Sequence, residues 1–579
     1  MHRPKPLLSA VAAVAATALA ACSNGSVGVG EPPAGGVVTG EKAVAGFDSD
    51  RDGPAAPIEG ALPGGTVTAL TGAGLATLDP TASYFVDTNA ILSGLVTRSL
   101  TQYAYDPEQG TMVLVPDLAT DLGTPNADFT QWSFTIRAGV RFEDGKEVTA
   151  EDVAYGIKRS FDRTAFPAGP TYSNDYFLNG ETYKGPYASG TSYPGVVVAG
   201  STLTIEMERP FPDMPYWGAF PAMGPIPDRG SDPATYGRHP LATGPYRIAE
   251  YTPGESLTLV RNGFWDPDTD PGRHAYPDRY EFRFEPPERI DATVLGDSQA
   301  AQTTLSYGTV LSGDYRRAQQ VDRLTLGSAP CAYFWWPDYR KITDILVRKA
   351  IGYAYPYRED AKTVGAIFGV TALPGTSILP PGFPGRQDYS VLATEPGRTD
   401  PDKAKALLRE AGWAPGEYEL TFAYSDEYQP IVERRDQLVE AMEAAGFKVT
   451  TRLVPTFDDV LTLNKDPNAP VNVRSFGWCP DWRSGSSWFP PIFHSGGAVN
   501  LAYFAEPGID AEIDRIGRLP LEEQPAAWGA LDKAIMTDYY PGIVTRYDGV
   551  AMLHGSRIGG MNIDEVYGMP TWKDIYVGR

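Results

Sequence analysis

The chain has 579 residues, 42% of them hydrophobic and 11% aromatic, which is too long for a single hydrophobic core and suits roughly two to four compact units. Its 72 acidic residues outnumber 49 basic ones, for a formal net charge of −23. Such a field repels nucleic acid and anionic membrane surfaces, so neither is expected as a direct partner.

The first 22 residues read as an export signal. His2-Arg3-Pro4-Lys5 gives a positive start, Leu7 to Leu19 an apolar run of small residues, and Leu19-Ala20-Ala21-Cys22 a small-residue cleavage site. Because cleavage leaves a cysteine first, the pattern resembles a bacterial lipoprotein signal, which implies lipidation of Cys22. No later stretch of about 18 apolar residues follows, so no membrane span is expected after processing. Once Cys22 is acylated, Cys331 and Cys479 remain as an even pair in an oxidising compartment. A disulfide between them is expected, with two buried free thiols as the alternative. From 23 to 63 the chain is Gly, Pro, Ala, Ser and acid with no periodicity, so a disordered tether is expected there.

The fold is expected to open at the strand Gly64 to Leu70, with a helix from about Asp87 to Leu100. Gln131-Trp132-Ser133-Phe134-Thr135-Ile136 alternates polar and apolar residues as a strand does, and Asp144-Gly145 is a hairpin-turn signal. Thr149-Ala150-Glu151-Asp152 has the spacing of a capping box, so a helix is expected from there through Phe161.

Trp132-x-Phe134, Ile136-Arg137-x-Gly139-Val140-x-Phe142-x-Asp144-Gly145-Lys146 and Val148-Thr149-Ala150-Glu151-Asp152-Val153 closely resemble the signature segment of the extracellular solute-binding proteins of peptide- and nickel-type ABC importers (family 5). Ala242-Thr243-Gly244-Pro245-Tyr246-Arg247 and the strand ending at Asn262-Gly263-Phe264-Trp265 match a second motif of that family, in order. The resemblance implies an α/β, two-lobed, periplasmic-binding-protein type II-like fold with an extra outer subdomain. Lobe I is then expected over 64–330, with the outer subdomain at about 98–196, lobe II over 331–542, and a return to lobe I over 543–579. The strand at Ser201 to Met207 is read as the start of a new unit within lobe I. Two chain crossings are what a hinge requires.

Within lobe II, Asp400 and Pro401 start a helix that Gly412 ends. A strand to Tyr424, a helix and a strand from Phe447 form a βαβ unit, for which parallel strands are expected.

Catalytic chemistry is poorly represented. His2, His239, His274, His494 and His554 are scattered, and there is no His-Glu-x-x-His, paired-Cys or Gly-x-Ser-x-Gly motif. The chain is therefore not expected to be an enzyme, and neither a cofactor nor a metal site is expected. A phosphate-binding Gly-x-x-x-x-Gly-Lys loop is absent as well, so ATP hydrolysis would belong to a partner.

Arg474-Ser475-Phe476-Gly477-Trp478-Cys479-Pro480-Asp481-Trp482 concentrates aromatics, a cysteine and a carboxylate at a strand end. By local chemistry alone this is equally a core Trp followed by a turn-forming Asp. Gly477-Trp478-Cys479-Pro480-Asp481-Trp482 resembles the ligand segment of oligopeptide-binding members, in which the Asp pairs with a peptide's α-ammonium group and Cys331 falls where the disulfide partner lies. The resemblance implies Asp481 as the amine contact and Trp478 and Trp482 as walls. Arg474 is a candidate for a ligand carboxylate, although it lies one residue away from the position of the family's Arg. Of Trp335 and Trp336, which alternate on one strand, one is expected in the core and the other at the ligand. Tyr84, Phe85 and Asn500 are candidates from their position in the resemblance.

The expectation is thus a lipid-anchored, monomeric component on the extracytoplasmic face of a bacterial membrane. It would capture oligopeptides between two lobes and deliver them to an ABC permease. An oligosaccharide or metal chelate is the alternative ligand, and a secreted hydrolase the alternative class.

Overall fold

The computed structural model describes residues 46–228, 231–296 and 298–579. The expected export signal, Cys22 and most of the expected tether lie outside the described residues. Among those described, no helix is long and apolar enough to cross a membrane.

The described chain divides into two compact units, residues 46–327 with 551–579, and residues 328–550. It passes from the first unit to the second within the strand Leu324–Pro337 and back within the strand Ile543–Leu553. The return to the first unit comes later than residue 543, because this strand keeps its pairing with Ala372–Pro374 through Asp548.

The first unit is built on a five-stranded sheet in the order Thr304–Ser306, Thr66–Thr71, Arg279–Phe284, Ser256–Arg261 and Tyr246–Thr252. The strand Thr66–Thr71 is parallel to both neighbours, and the last two pairings are antiparallel. A second sheet joins Gln131–Thr135 to Thr202–Glu206 and Val196–Ala199. The strand at 202–206 therefore completes the outer sheet rather than opening a new unit, since Trp132 and Phe134 pair directly with Ile205 and Leu203. The capping box is present: the Thr149 side chain accepts from the Asp152 N–H, and Asp152 accepts from the Thr149 N–H, starting the helix Ala150–Arg159.

Residues 46–63 depart from the expected tether. The Asp48 N–H donates to the Leu114 carbonyl at 2.8 Å, the Ala55 N–H to the Asp270 carbonyl at 2.9 Å, and the Ile58 N–H to the Tyr276 hydroxyl at 3.1 Å. A segment with little apolar area is held here by main-chain hydrogen bonds and by ion pairs from Arg51 to Asp48 and from Arg137 to Asp52.

Beneath the first unit's surface lies a buried ion network. Arg98 Nε stands 2.7 Å and Arg273 Nη2 2.8 Å from the two oxygens of Asp117, and Arg273 also reaches Asp270 at 3.2 Å. Burial opposes the charge on Asp270, but Arg273 and Arg98 beside it hold its carboxyl well below the usual carboxylate range.

In the second unit a four-stranded sheet runs in the order Ala372–Pro374, Ile543–Leu553, Leu324–Pro337 and Val473–Trp478. A βαβ unit stands beside it, with Glu419–Ser425 parallel to Lys448–Val454 across the helix Gln429–Ala444. Asp400 caps the helix Pro401–Glu410 through its Oδ1 and the Lys403 N–H. Both faces of the strand Leu324–Pro337 are covered, which decides the fate of its tryptophans. Trp335 packs against Tyr355 and Phe422, and Trp336 stacks on Phe334 at 4.4 Å and meets Phe493. Both are 2% exposed, so neither reaches a ligand surface.

Candidate functional site

The site is assembled at one end of the second unit's sheet. Val473–Trp478 runs antiparallel to Leu324–Pro337, with Ala332 opposite Trp478, Tyr333 opposite Gly477 and Trp336 opposite Arg474. Successive side chains alternate between faces, so Arg474, Phe476 and Trp478 share one face with Ala332, Phe334 and Trp336. Cys331 and Cys479 are the next opposed pair, and they form a disulfide with Cα atoms 4.2 Å apart. The bridge fixes the point at which the chain leaves the strand for Pro480, Asp481 and Trp482.

The residues after the bridge form a tightly bonded loop. The Trp478 indole N–H donates to the Ser487 carbonyl at 2.7 Å, and the Trp482 indole N–H to the Ser486 hydroxyl at 3.0 Å. The Ser487 hydroxyl in turn donates to the Trp482 and Ser484 carbonyls. Trp478 and Asp481 are half-buried, whereas Trp482 is only 3% exposed and has little face to offer a ligand.

Arg474 is placed differently from the expectation. Its Nη1 lies 2.9 Å from Asp338 Oδ2, and its guanidinium sits over the Tyr503 ring, with Arg340 also against that ring. Burial opposes the charge on Asp338, but hydrogen bonds from Arg340 and Arg474 hold its carboxyl below the usual range. With its side chain fully buried and its charge neutralised internally, Arg474 is a structural residue rather than a carboxylate receptor.

Asn500 is structural too. Its amide donates to the His494 and Phe504 carbonyls and accepts from the Phe504 N–H, which ties the loop 494–504. Tyr84 and Phe85 belong to the first unit, immediately before the helix Val86–Ile91; Tyr84 is half-buried and Phe85 is 37% exposed. The structure thus brings Trp478, Cys479, Asp481 and Trp482 together with Cys331 and draws Trp335, Trp336, Arg474 and Asn500 into the interior.

Sequence reasoning missed a polar cluster on the opposite face of the same sheet. Tyr333 lies against Gly477, where an added Cβ would stand 2.6 Å from the ring, so only glycine leaves room for it. The Tyr333 hydroxyl donates to Asp548 Oδ2 at 3.0 Å, and the Arg546 guanidinium stacks on the Tyr333 ring at 3.7 Å. Burial pushes the Asp548 carboxyl up, with Arg546 and the Tyr333 hydroxyl opposing. The available signal was the alternation Arg546-x-Asp548 within an otherwise apolar strand, since charged residues two apart share a face. Among the described residues no group of three His, Cys, Asp or Glu is arranged to hold a metal ion.

Residues 113–500 match the family of bacterial extracellular solute-binding proteins, family 5 Middle. The glutathione-binding protein GsiB of Salmonella choleraesuis (strain SC-B67) is 22% identical over 476 residues, which covers 78% of this chain and 83% of the relative. The solved structure of clavulanic acid biosynthesis oligopeptide binding protein 2 is similar with a TM-score of 0.79 at 25% identity, covering 93% of this chain and all of that one. The Helicobacter pylori periplasmic binding protein DppA, solved with the peptide STSA, is similar with a TM-score of 0.63 at 17% identity, covering 90% of this chain and 99% of that one.

Proposed function

The chain belongs to family 5 of the bacterial extracellular solute-binding proteins, and from that premise we propose that it is a lipid-anchored importer component that captures peptides and delivers them to an ABC permease. Its relatives are binding proteins rather than enzymes, which sets the hydrolase alternative aside. The family is extracytoplasmic, in agreement with the export signal read over residues 1–22. Similar proteins include a glutathione-binding protein and a periplasmic binding protein solved with the peptide STSA.

The observation that carries the peptide reading is Asp481, two residues from the Cys331–Cys479 bridge and flanked by Trp478 and Trp482. A carboxylate in a partly dry setting makes a charge-assisted hydrogen bond to an ammonium group, and a peptide lacking its free amine leaves that carboxylate without its ligand. Trp478 supplies a half-exposed aromatic face beside it. The oligosaccharide alternative draws on stacked tryptophans, and burial of Trp335, Trp336 and Trp482 removes three of the four.

Asp481→Ala is expected to weaken binding of a free-amine peptide at least about tenfold, or roughly 1.4 kcal/mol. The melting temperature of the empty protein should move little. Calorimetric titration with paired free and N-acetylated peptides checks this, and equal affinity of wild type and variant for the free-amine peptide would remove Asp481 from the site.

A further inference from the structure

We propose that His274 is a proton-operated clasp, which fastens the N-terminal strap around residues 54–58 to the body of the first unit when its ring is charged. This device is separate from ligand capture. The Ala55 N–H of the strap donates to the Asp270 carbonyl at 2.9 Å, and the Ile58 N–H to the Tyr276 hydroxyl at 3.1 Å. Between these two bonds the Ala56 carbonyl meets His274 Nε2 at 3.0 Å. The other nitrogen of the same ring, Nδ1, stands 3.3 Å from Asp574 Oδ1. Tyr276 stacks on the imidazole at 4.9 Å with the ring planes 15° apart, so the ring that touches the strap is held by the residue that also receives Ile58.

Both oxygens that face the ring are acceptors, one a carbonyl and one a carboxylate. A neutral imidazole carries a single N–H and donates to only one of them, leaving the lone pair of its other nitrogen against an oxygen. The imidazolium donates to both. Burial opposes the charge on His274, but Asp574 and the Ala56 carbonyl raise its pKa above the usual imidazole value. The contribution of the charged ring to docking is therefore complete below the free imidazole value of about 6.5, and it is lost as pH rises through the higher value of the docked ring.

The other ionisable groups around the clasp are engaged elsewhere. Lys573 turns its amine to Gln102 and the Tyr103 carbonyl, Arg273 is held by Asp117 and Asp270, and Tyr276 meets Tyr576 edge to face. On the strap itself, Asp52 is paired with Arg137 and Glu59 is exposed. Burial pushes the Lys573 amine down to about 8, so the clasp is best read below that pH. An extracytoplasmic protein meets the pH of its surroundings directly, and residues 46–63 are the segment through which the chain runs from Cys22 to the first strand. The clasp ties the fastening of that segment to the external pH.

The test is amide hydrogen exchange of the full chain at about pH 5.5 and about pH 7.5, read by mass spectrometry on fragments that cover the strap. An unstructured peptide of the same sequence corrects for the intrinsic pH dependence of exchange. The expected result is protection of the Ala55 to Ile58 stretch that is greater at the lower pH by about fivefold or more. His274→Gln, which cannot change its charge, should give the same protection at both pH values. Asp574→Asn should keep the strap fastened at both, because an amide donates to Nδ1 of the neutral ring and leaves Nε2–H for the Ala56 carbonyl. Should His274→Gln fail to fold, Asp574→Asn and the wild type decide between them. Protection that is the same at both pH values in the wild type, or a pH dependence that persists in either variant, overturns the proposal.

Discussion

Reducing the Cys331–Cys479 bridge is expected to lower the melting temperature by roughly 10 °C or more and to weaken peptide binding at the same time. The bridge joins residues 148 positions apart, and a loop of that length is worth about 5 kcal/mol in the chain-entropy account, an upper figure. A unit of about 200 residues loses a few degrees for each kcal/mol, which gives the expected shift. Binding is affected because Cys479 stands immediately before Pro480 and Asp481. Without the bridge, the strand end at Trp478 is held to Ala332 only by its ladder pairing. Scanning calorimetry with and without reductant, alongside the Cys331→Ser/Cys479→Ser double variant, measures both effects. A melting temperature unchanged in both would show that the bridge contributes nothing to the folded state.

Asp117→Asn is expected to destabilise the protein by about 3–5 kcal/mol, because it removes the shared counter-ion of two buried arginines. Arg98 and Arg273 contact opposite oxygens of Asp117 at 2.7 and 2.8 Å, and all three side chains are essentially inaccessible to solvent. With Asp117 neutral, Asp270 alone faces both guanidinium groups, so one positive charge is left buried and uncompensated. The same substitution alters the acceptor that Asp117 offers to the Ser99 N–H at 3.2 Å. Urea unfolding at neutral pH reads the cost, and a loss below about 1 kcal/mol would mean that solvent or another carboxylate takes the place of Asp117.

What was legible in the sequence was local. The Thr149–Asp152 capping box, the Asp400 cap and the βαβ unit around Gln429–Ala444 each follow from residues a few positions apart. The family was legible because two long motifs, at 132–153 and 242–265, fall in order along one chain. What was hidden depends on distant partners. Residues 46–63 read as a tether because nothing local marks their bonds to Leu114, Asp270 and Tyr276. Arg474 read as a ligand contact because Asp338, which neutralises it, lies 136 residues away. The alternation of Trp335 and Trp336 correctly places them on opposite faces, but burial of both follows from helices and strands packed on each side of the sheet. Tyr333, Arg546 and Asp548 escaped notice for the same reason, since the strands that bring them together are more than 200 residues apart.

Native mass spectrometry of the protein isolated from its own host, with fragmentation of whatever it carries, tests whether this is a peptide-binding protein. The expected result is a bound species that fragments into amino-acid residues and is lost from Asp481→Ala. A bound species that fragments in hexose steps, or one retained equally by Asp481→Ala, would contradict it.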